Sequence, residues 1–120
     1  MPRATGNIAD TQRFELKTCP EGYVILRRHL FGESLQRRQM AVDMRMEQGE
    51  GNKALTQIGM NSTDVTLFDF ATQIVEHNLE DESGRALNFK TQFDVSLLSA
   101  PVGEEIVNLL EEINNWKREN

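Results

Sequence analysis

The first part of the chain alternates between hydrophobic and polar positions, which is the pattern of strands that bury one face. Phe14 and Leu16 alternate with charged residues, the turn formers Pro20 and Gly22 follow, and the hydrophobic run Tyr23–Leu26 comes next. This order predicts a β-hairpin. Its second arm is rich in β-branched and aromatic residues, so we expect that arm to lie inside the sheet rather than at its edge.

A short helix and two further strands are predicted next. Good helix formers after Gly32 predict a helix to about Gln39. The hydrophobic residues that follow recur at every second position, which predicts a third strand with these side chains on one face. They are Met40, Val42, Met44 and Met46. After the polar loop Gln48–Lys53, the segment Leu55–Met60 predicts a fourth strand and completes an antiparallel meander. The methionines either fill the core or line a surface that captures a peptide.

The hydrophobic spacing changes to three and four residues in the second half, which predicts helices. Asn61, Ser62 and Thr63 offer N-caps for a helix that begins near Asp64 and continues to about Asn78. The main stripe of this helix comprises Val65, Phe68, Ala71, Val75 and Leu79. Leu67, Phe70 and Ile74 widen the stripe. We therefore expect the helix to be covered on two sides, by the sheet and by another helix or subunit.

The last part of the chain predicts one or two short turns and a final helix. Phe89, Phe93 and Leu97 are spaced by four residues and indicate the turns. Pro101 suits the first turn of the final helix. The stripe of this helix comprises Val102, Ile106, Leu109, Leu110, Ile113 and Trp116. Two interpretations of Trp116 stay open, a lid on the core and an aromatic that contacts a partner.

These elements define the expected fold class and domain organisation. The class is α+β, with a small antiparallel sheet of about four strands in the N-terminal half packed against two main α-helices in the C-terminal half. Residues 1–12 are polar and aperiodic and predict a flexible arm. Residues 13–120 are expected to form a single domain, since 120 residues are too few for two cores.

Composition and charge limit the classes of function that the chain can have. The hydrophobic share of 38% and the charged share of 27% are in the range of globular proteins. A net charge of -6 and a pI near 4.9 argue against nucleic-acid binding, which requires a basic surface. Arginines concentrate in the first half and carboxylates in the second. Three interpretations of this asymmetry stay open: solvated faces of opposite sign, an acidic face that attracts a basic partner, and subunits that pack head to tail.

The cysteine count and the hydropathy favour a cytoplasmic protein. Cys19 is the single cysteine, so no internal disulfide can form and the fold does not depend on an oxidising compartment. The N-terminal residues lack the apolar core of a signal peptide, and no apolar run of about 18 residues is present. We expect neither secretion nor membrane insertion.

No pattern in the sequence indicates catalysis, a metal or a cofactor. Two histidines and one cysteine at distant positions do not form a zinc set, and the serines lack the context of a nucleophile elbow. The acidic run Glu80–Glu82 lacks the alternating spacing of a calcium loop. His77 and Asn78 are instead expected to terminate the long helix, His77 at its final carbonyls and Asn78 in a left-handed conformation.

Three segments of the chain, between Gly22 and Trp116, resemble the tail assembly chaperones of long-tailed phages and prophages. They are GYVILRRHLFGESLQRRQMAVDMRM, FATQIVEHNLEDESGRALNF and PVGEEIVNLLEEINNW. The strongest elements are Val-Ile-Leu-Arg-Arg leading to Gly32, the motif Ile-Val-x-His-Asn-Leu-x-Asp-Glu-x-Gly over residues 74–84, and the Gly-Glu-Glu-Ile start of the last helix. None of these elements is a catalytic signature.

The resemblance implies a non-catalytic assembly factor that acts in the cytoplasm of an infected bacterium and is absent from the mature virion. Such a factor binds the long, helical tape measure protein and helps tail-tube subunits assemble around it. The family self-associates and is often made in a short form and in a longer form produced by a programmed frameshift. A chain that ends soon after Trp116 corresponds to the short form. The expected partners are thus the tape measure protein, the longer form, the tail-tube protein and further copies of the chain.

Apolar side chains on the predicted strand and helices are the candidate partner-binding residues. They are Met40, Met44, Met46, Phe68, Phe70, Ile74, Leu109, Ile113 and Trp116. Two other classes of function stay open on the sequence alone. One is a small virion component such as a tail-completion or head–tail joining protein, and the other is an acidic regulator that binds a host protein.

Overall fold

A computed structural model describes residues 2, 4–48 and 63–114, without the side chains of 41–48 and 63. Its elements are β1 (Thr11–Glu15), β2 (Tyr23–Arg27), α1 (Phe31–Gln48), α2 (Thr63–Gln73), β3 (Ile74–His77), α3 (Gln92–Ser96) and α4 (Ala100–Asn114). Within these ranges the chain forms a three-stranded antiparallel sheet and four helices. The predicted α+β class is confirmed.

The predicted hairpin forms the first two strands of the sheet. The strand order is β1-β2-β3, so the second arm of the hairpin is the central strand, as predicted. The hairpin register extends from Thr11 opposite Arg27 to Glu15 opposite Tyr23. Strand β1 therefore begins at Thr11, inside the segment 1–12 that was predicted as an arm.

The third strand predicted for the methionine segment is wrong, because helix α1 continues through it to Gln48. Between Glu33 and Gln48 no glycine or proline interrupts the chain, and most of these residues are strong helix formers. An alternation of four hydrophobic residues is too short to outweigh that propensity. The predicted fourth strand, Leu55–Met60, lies outside the described residues.

The long helix predicted to continue to Asn78 ends earlier, at Gln73, and the chain passes directly into β3. This strand pairs with the second edge of β2. Ile25 lies opposite Glu76 and Leu26 opposite Ile74, so Val75 forms a bulge. Without β3, the N–H and C=O groups on this edge of the central strand would lack partners. The pairing thus overrides the helical spacing of the sequence.

The two helices after β3 match the elements predicted from the hydrophobic spacing. Helix α3 is the short turn predicted around Phe93, and α4 places Pro101 in its first turn, as predicted. The residues from 115 onward, Trp116 included, lie outside the described part.

Within the described residues, one hydrophobic core lies between the sheet and helices α2 and α4. Its buried members are Leu16, Val24, Leu26, Phe70, Ile74, Leu79, Leu87, Phe89, Ile106, Leu110 and Ile113. The rings of Phe70 and Phe89 meet edge to face with their centroids 5.7 Å apart. The loop after β3 thus contributes Leu79, Leu87 and Phe89 to the same core as the helices.

Gln73 is a fully buried polar residue at the junction of α2 and β3, with 0% of its surface exposed. Its Nε2 donates to the Arg27 carbonyl at 2.9 Å and to Asn114 Oδ1 at 2.8 Å. Asn114 Nδ2 donates back to Gln73 Oε1 at 3.0 Å. The amide pair therefore joins the ends of α2, β2 and α4.

The start of α1 is fixed by a carboxylate. Glu33 accepts two short hydrogen bonds from the Arg27 guanidinium, at 2.8 and 2.6 Å, and one from the Leu30 N–H at 2.9 Å. The Leu30 contact is the half of a capping box that satisfies the first free N–H of a helix. The Arg27 hydrogen bonds, with the Leu30 N–H in support, lower the pKa of Glu33 to about 2.

The buried amide pair yields a stability prediction. Replacing Gln73 with Ala removes its hydrogen bonds to the Arg27 carbonyl and to the Asn114 amide and leaves a cavity, so we expect the free energy of unfolding to fall by about 2–4 kcal/mol. Asn114→Ala removes the same pair from the other side. Urea denaturation of both single variants and the double variant should give a coupling energy of about 1 kcal/mol or more. Strictly additive effects would show that the two amides act independently.

The Glu33 contacts predict loss of stability in acid. The folded-state pKa lies below the ordinary value of 4.5, so the stabilisation is complete above that value and is lost as pH falls toward about 2. Glu33→Gln removes the titrating group, and its unfolding free energy should decline less steeply over the same pH interval. Denaturation measured at a series of pH values compares the two slopes, and parallel slopes would contradict the assignment.

Candidate partner-binding surface

The hairpin turn is built around a residue in an unfavourable conformation. The Gly22 N–H donates to the Cys19 carbonyl at 2.8 Å, which closes a four-residue turn. Proline at its second position and a positive φ of 68° at Glu21, its third, define type II geometry. This third position favours glycine, and a glutamate there costs about 1–2 kcal/mol. The strained turn projects the Glu21 side chain into solvent.

Asn78 fastens this turn to the end of β3. Its Oδ1 accepts the Tyr23 N–H at 2.9 Å, and its Nδ2 donates to the Glu21 carbonyl at 2.9 Å. The predicted left-handed helix terminator is therefore wrong. The side-chain amide serves as a bridge between two segments, and within the described residues the positive φ values fall at Glu21 and Gly84.

His77 also has a role other than the predicted one at a helix end, because it lies in β3. Its Nδ1 accepts the Leu79 N–H at 3.0 Å, and its ring packs on Phe89 with the centroids 4.4 Å apart. Burial lowers the pKa of His77, so the ring is neutral at pH 7. The residue therefore orients the chain as it leaves the sheet.

The acidic loop after β3 is a closed structure held by Asp81. Its Oδ1 accepts from the backbone N–H and the hydroxyl of Ser83 and from the N–H of Arg85. Gly84, at a φ of 87°, makes the reversal possible. The Ser83 and Arg85 hydrogen bonds lower the pKa of Asp81 to about 2. This carboxylate is committed to the loop, whereas Glu80 and Glu82 face solvent.

Arg85 connects the loop to helix α3. Its Nη1 and Nη2 each lie 3.0 Å from an oxygen of Asp94, and its Nε lies 3.1 Å from Asp81. Asp94 also accepts the Asn88 N–H at 2.8 Å. The guanidinium, helped by that N–H, lowers the pKa of Asp94. The two carboxylates and the arginine thus fix the loop against the segment that leads into α4.

An apolar groove of about 930 Å³ opens between the turn, the loop and the connection from α3 to α4. Its apolar lining comprises Cys19, Pro20, Leu79, Leu87, Leu97, Leu98 and Val102. Leu97 exposes 47% of its surface. The solvent-facing carboxylates at its rim belong to Glu21, Glu80 and Glu82. We call this feature the acidic-rimmed groove.

A larger recess of about 1330 Å³ lies between the N-terminal arm and helices α1, α2 and α4. Polar groups in its wall are bonded within the protein: Arg37 Nε lies 3.0 Å from Asp69, and His29 Nε2 lies 3.0 Å from the hydroxyl of Thr72 behind the wall. Burial lowers the pKa of His29 and keeps its ring neutral. The Arg37 contact holds α1 on α2, and the His29 contact holds the segment before α1 on α2. Because these polar groups are engaged in the fold, the acidic-rimmed groove is the better candidate for an apolar partner.

The residues predicted from sequence to bind a partner do not form one surface in the structure. Phe70, Ile74 and Ile113 are buried in the core and do not reach the surface. Phe68 and Leu109 are half-buried, Phe68 beside the His29 ring and Leu109 against the core. Met40 is half-buried on α1. The Met44 and Met46 side chains and all of Trp116 lie outside the described part.

The residues that line the groove were not identified from sequence. The sequence pattern places Leu97 in a predicted short turn and Val102 in the predicted stripe of the last helix, and it does not single out Leu98. A surface made by a hairpin turn, a loop and a helix start leaves no spacing in the sequence. The one sequence feature that points to this surface is the pair of adjacent leucines, 97 and 98, shortly before Pro101.

The residues that carry the resemblance to tail assembly chaperones have folding roles in this structure. His77 and Asn78 set the exit from β3, and Asp81 and Gly84 close the loop. Comparison of the chain with protein-family models, with curated proteins and with solved structures gives no match.

Two further features bear on function classes. Over residues 2, 4–48 and 63–114, no cluster of three or more His, Cys, Asp or Glu side chains is arranged to hold a metal ion. In the same ranges, no helix combines the length and the apolar character that a membrane span requires.

A substitution by glycine usually lowers stability, but at the strained turn we predict that it raises stability. Glu21→Gly relieves the positive φ and should raise the free energy of unfolding by about 0.5–1 kcal/mol, after the larger backbone entropy of glycine is subtracted. Glu82→Gly is the matched control, an exposed loop glutamate without a positive φ. Urea denaturation compares them, and equal destabilisation by both changes would contradict the account of the turn.

Proposed function

We propose that the chain is a phage tail assembly chaperone that holds an amphipathic, basic segment of the tape measure protein in the acidic-rimmed groove. It assists tail-tube assembly by this binding and performs no chemistry. The single observation that carries the proposal is the exposed, leucine-rich groove with carboxylates at its edge. The sequence resemblance supplies the identity of the partner.

The apolar lining favours a partner with an amphipathic helix. A long helical protein presents apolar stripes before it is assembled, and those stripes cause aggregation in water. Covering them with Leu97, Leu98 and Val102 removes apolar area from water at about 25 cal/mol per Å². A groove of this kind therefore keeps such a partner soluble while leaving it free to be transferred.

The rim determines which helices bind. Glu21, Glu80 and Glu82 are exposed, and the groove lining includes no Lys or Arg. A helix with lysine or arginine beside its apolar stripe is attracted to this rim, whereas an acidic helix is repelled. Such attraction weakens as salt increases, so binding should be tightest at low ionic strength.

The rigid surroundings of the groove favour affinity. The turn is fixed by Asn78, and the loop is fixed by Asp81 and Arg85. Little side-chain and backbone freedom is then lost on binding, which is the main cost that a preformed site avoids.

The test is coexpression with the neighbouring tape measure protein, followed by pull-down and measurement of its soluble fraction. Leu97→Ala should weaken the interaction about tenfold, which corresponds to the loss of about 1–2 kcal/mol at a contact residue. Leu35→Ala is the matched control, because Leu35 exposes the same 47% of its surface but lies on α1. The control should bind like the unaltered chain.

Three results would contradict the proposal. One is a tape measure protein whose solubility does not respond to this chain, and another is an equal effect of the two leucine variants. The third is the presence of the chain in purified virions, which would favour a structural tail component.

A further inference from the structure

Strand β1 forms one edge of the sheet, with β2 as its neighbour. The outward-facing backbone groups of such an edge can pair with another strand, and proteins commonly protect edges with charged side chains. The β1 sequence is Thr-Gln-Arg-Phe-Glu. Its two charges are of opposite sign and lie on either side of Phe14.

The hydrogen bonds of the hairpin identify the groups that face outward. The Leu16 N–H donates to the Gly22 carbonyl at 2.9 Å, so these residues form a hydrogen-bonded pair of the ladder. The Tyr23 N–H points the other way, to Asn78. Because such pairs alternate along antiparallel strands, Phe14 bonds to β2, whereas the N–H and C=O groups of Arg13 and Glu15 face the open edge.

This edge is complementary to itself in one register. A two-fold axis at Phe14 places Arg13 opposite Glu15 of a second copy, and Glu15 opposite its Arg13. All four residues have outward-facing backbone groups, so each pair can exchange both of its backbone hydrogen bonds. The two half-buried Phe14 rings then meet at the close, non-hydrogen-bonded position, where aromatic pairs stabilise a sheet.

Neighbouring registers are unfavourable. An axis at Arg13 places arginine opposite arginine, and an axis at Glu15 places glutamate opposite glutamate, arrangements that destabilise paired strands. Beyond Glu15, the N–H of Lys17 already donates to the Glu105 carboxylate at 2.8 Å. The ladder is therefore short and centred on Phe14.

We propose that a second copy of this chain pairs antiparallel with β1 about a two-fold axis at Phe14, which joins two three-stranded sheets into one. Within one chain Arg13 Nη2 already lies 3.3 Å from Glu15 Oε1. In this register the reciprocal pairs extend that contact into a group of four alternating charges, which selects the register. This inference does not depend on the proposed function, because it uses neither the groove nor the tape measure protein.

Charge reversal tests the register. In Arg13→Glu, glutamate faces glutamate in both pairs of a dimer, and in Glu15→Arg, arginine faces arginine. We expect each variant alone to dimerise at least about tenfold more weakly than the unaltered chain in sedimentation equilibrium. An equimolar mixture should recover the dimer mass, because both pairs are then attractive. The double variant Arg13→Glu with Glu15→Arg should also recover it.

Lys90→Glu and Glu104→Arg are the matched controls, since they make the same kinds of change at exposed residues outside β1. Both should dimerise like the unaltered chain, and circular dichroism establishes that every variant is folded. A chain that stays monomeric at millimolar concentration would overturn the proposal. So would single variants that dimerise normally, or a mixture that stays monomeric.

Amide hydrogen exchange gives a second readout. The N–H groups of Arg13 and Glu15 should become protected as protein concentration rises, whereas those of Gln12 and Phe14 should be protected at every concentration. A dimer whose formation leaves Arg13 and Glu15 unprotected would use another surface and would overturn the assignment to β1.

Discussion

The fold depends on a buried amide at the point where a helix becomes a strand. Gln73 ends α2 with no exposed surface, and its side chain satisfies the last carbonyl of β2 and the Asn114 amide of α4. Burying an amide is costly unless every polar atom has a partner, so these contacts fix three elements at one point. Because Ile74 follows at once, the same residue also sets where β3 begins. The sheet, the helices and the loop beyond them all take their positions from this junction.

The loop shows how that junction leads to a binding surface. From β3 the chain passes His77 and Asn78, one packed on Phe89 and the other bonded to the hairpin turn. Asp81 and Arg85 then close the loop without using Glu80 or Glu82. The polar residues of this segment therefore divide into those that build the loop and those that stay exposed at the rim of the groove. The polar residues of the motif therefore have folding roles, His77 against Leu79 and Phe89, and Asp81 within the loop.

The sequence predicted those parts of the fold that depend on local interactions. The hairpin follows from alternation and from Pro20, and the last helix follows from its stripe after Pro101. Local spacing could not predict that α2 ends at Gln73, because the helical spacing continues past this residue. The helix ends there because the following residues pair with the free edge of β2. For the segment around Met40, the alternation of hydrophobic residues predicts a strand whereas the residue propensities favour a helix, and the structure is a helix. The groove needed the tertiary structure, since Leu97 and Glu21 are far apart in the chain.

The two proposed surfaces are compatible in one assembly. None of the residues that line the groove belongs to β1, so the strand pairing uses no residue of the groove. A two-fold pair would then present two acidic-rimmed grooves to one long helical partner. Binding at the second groove becomes intramolecular once the first is occupied, and the overall affinity rises without any new contact. Weak individual contacts suit a chaperone, because each can be released in turn while the partner stays covered. The edge strand would in this way determine how strongly, and for how long, the groove holds its partner.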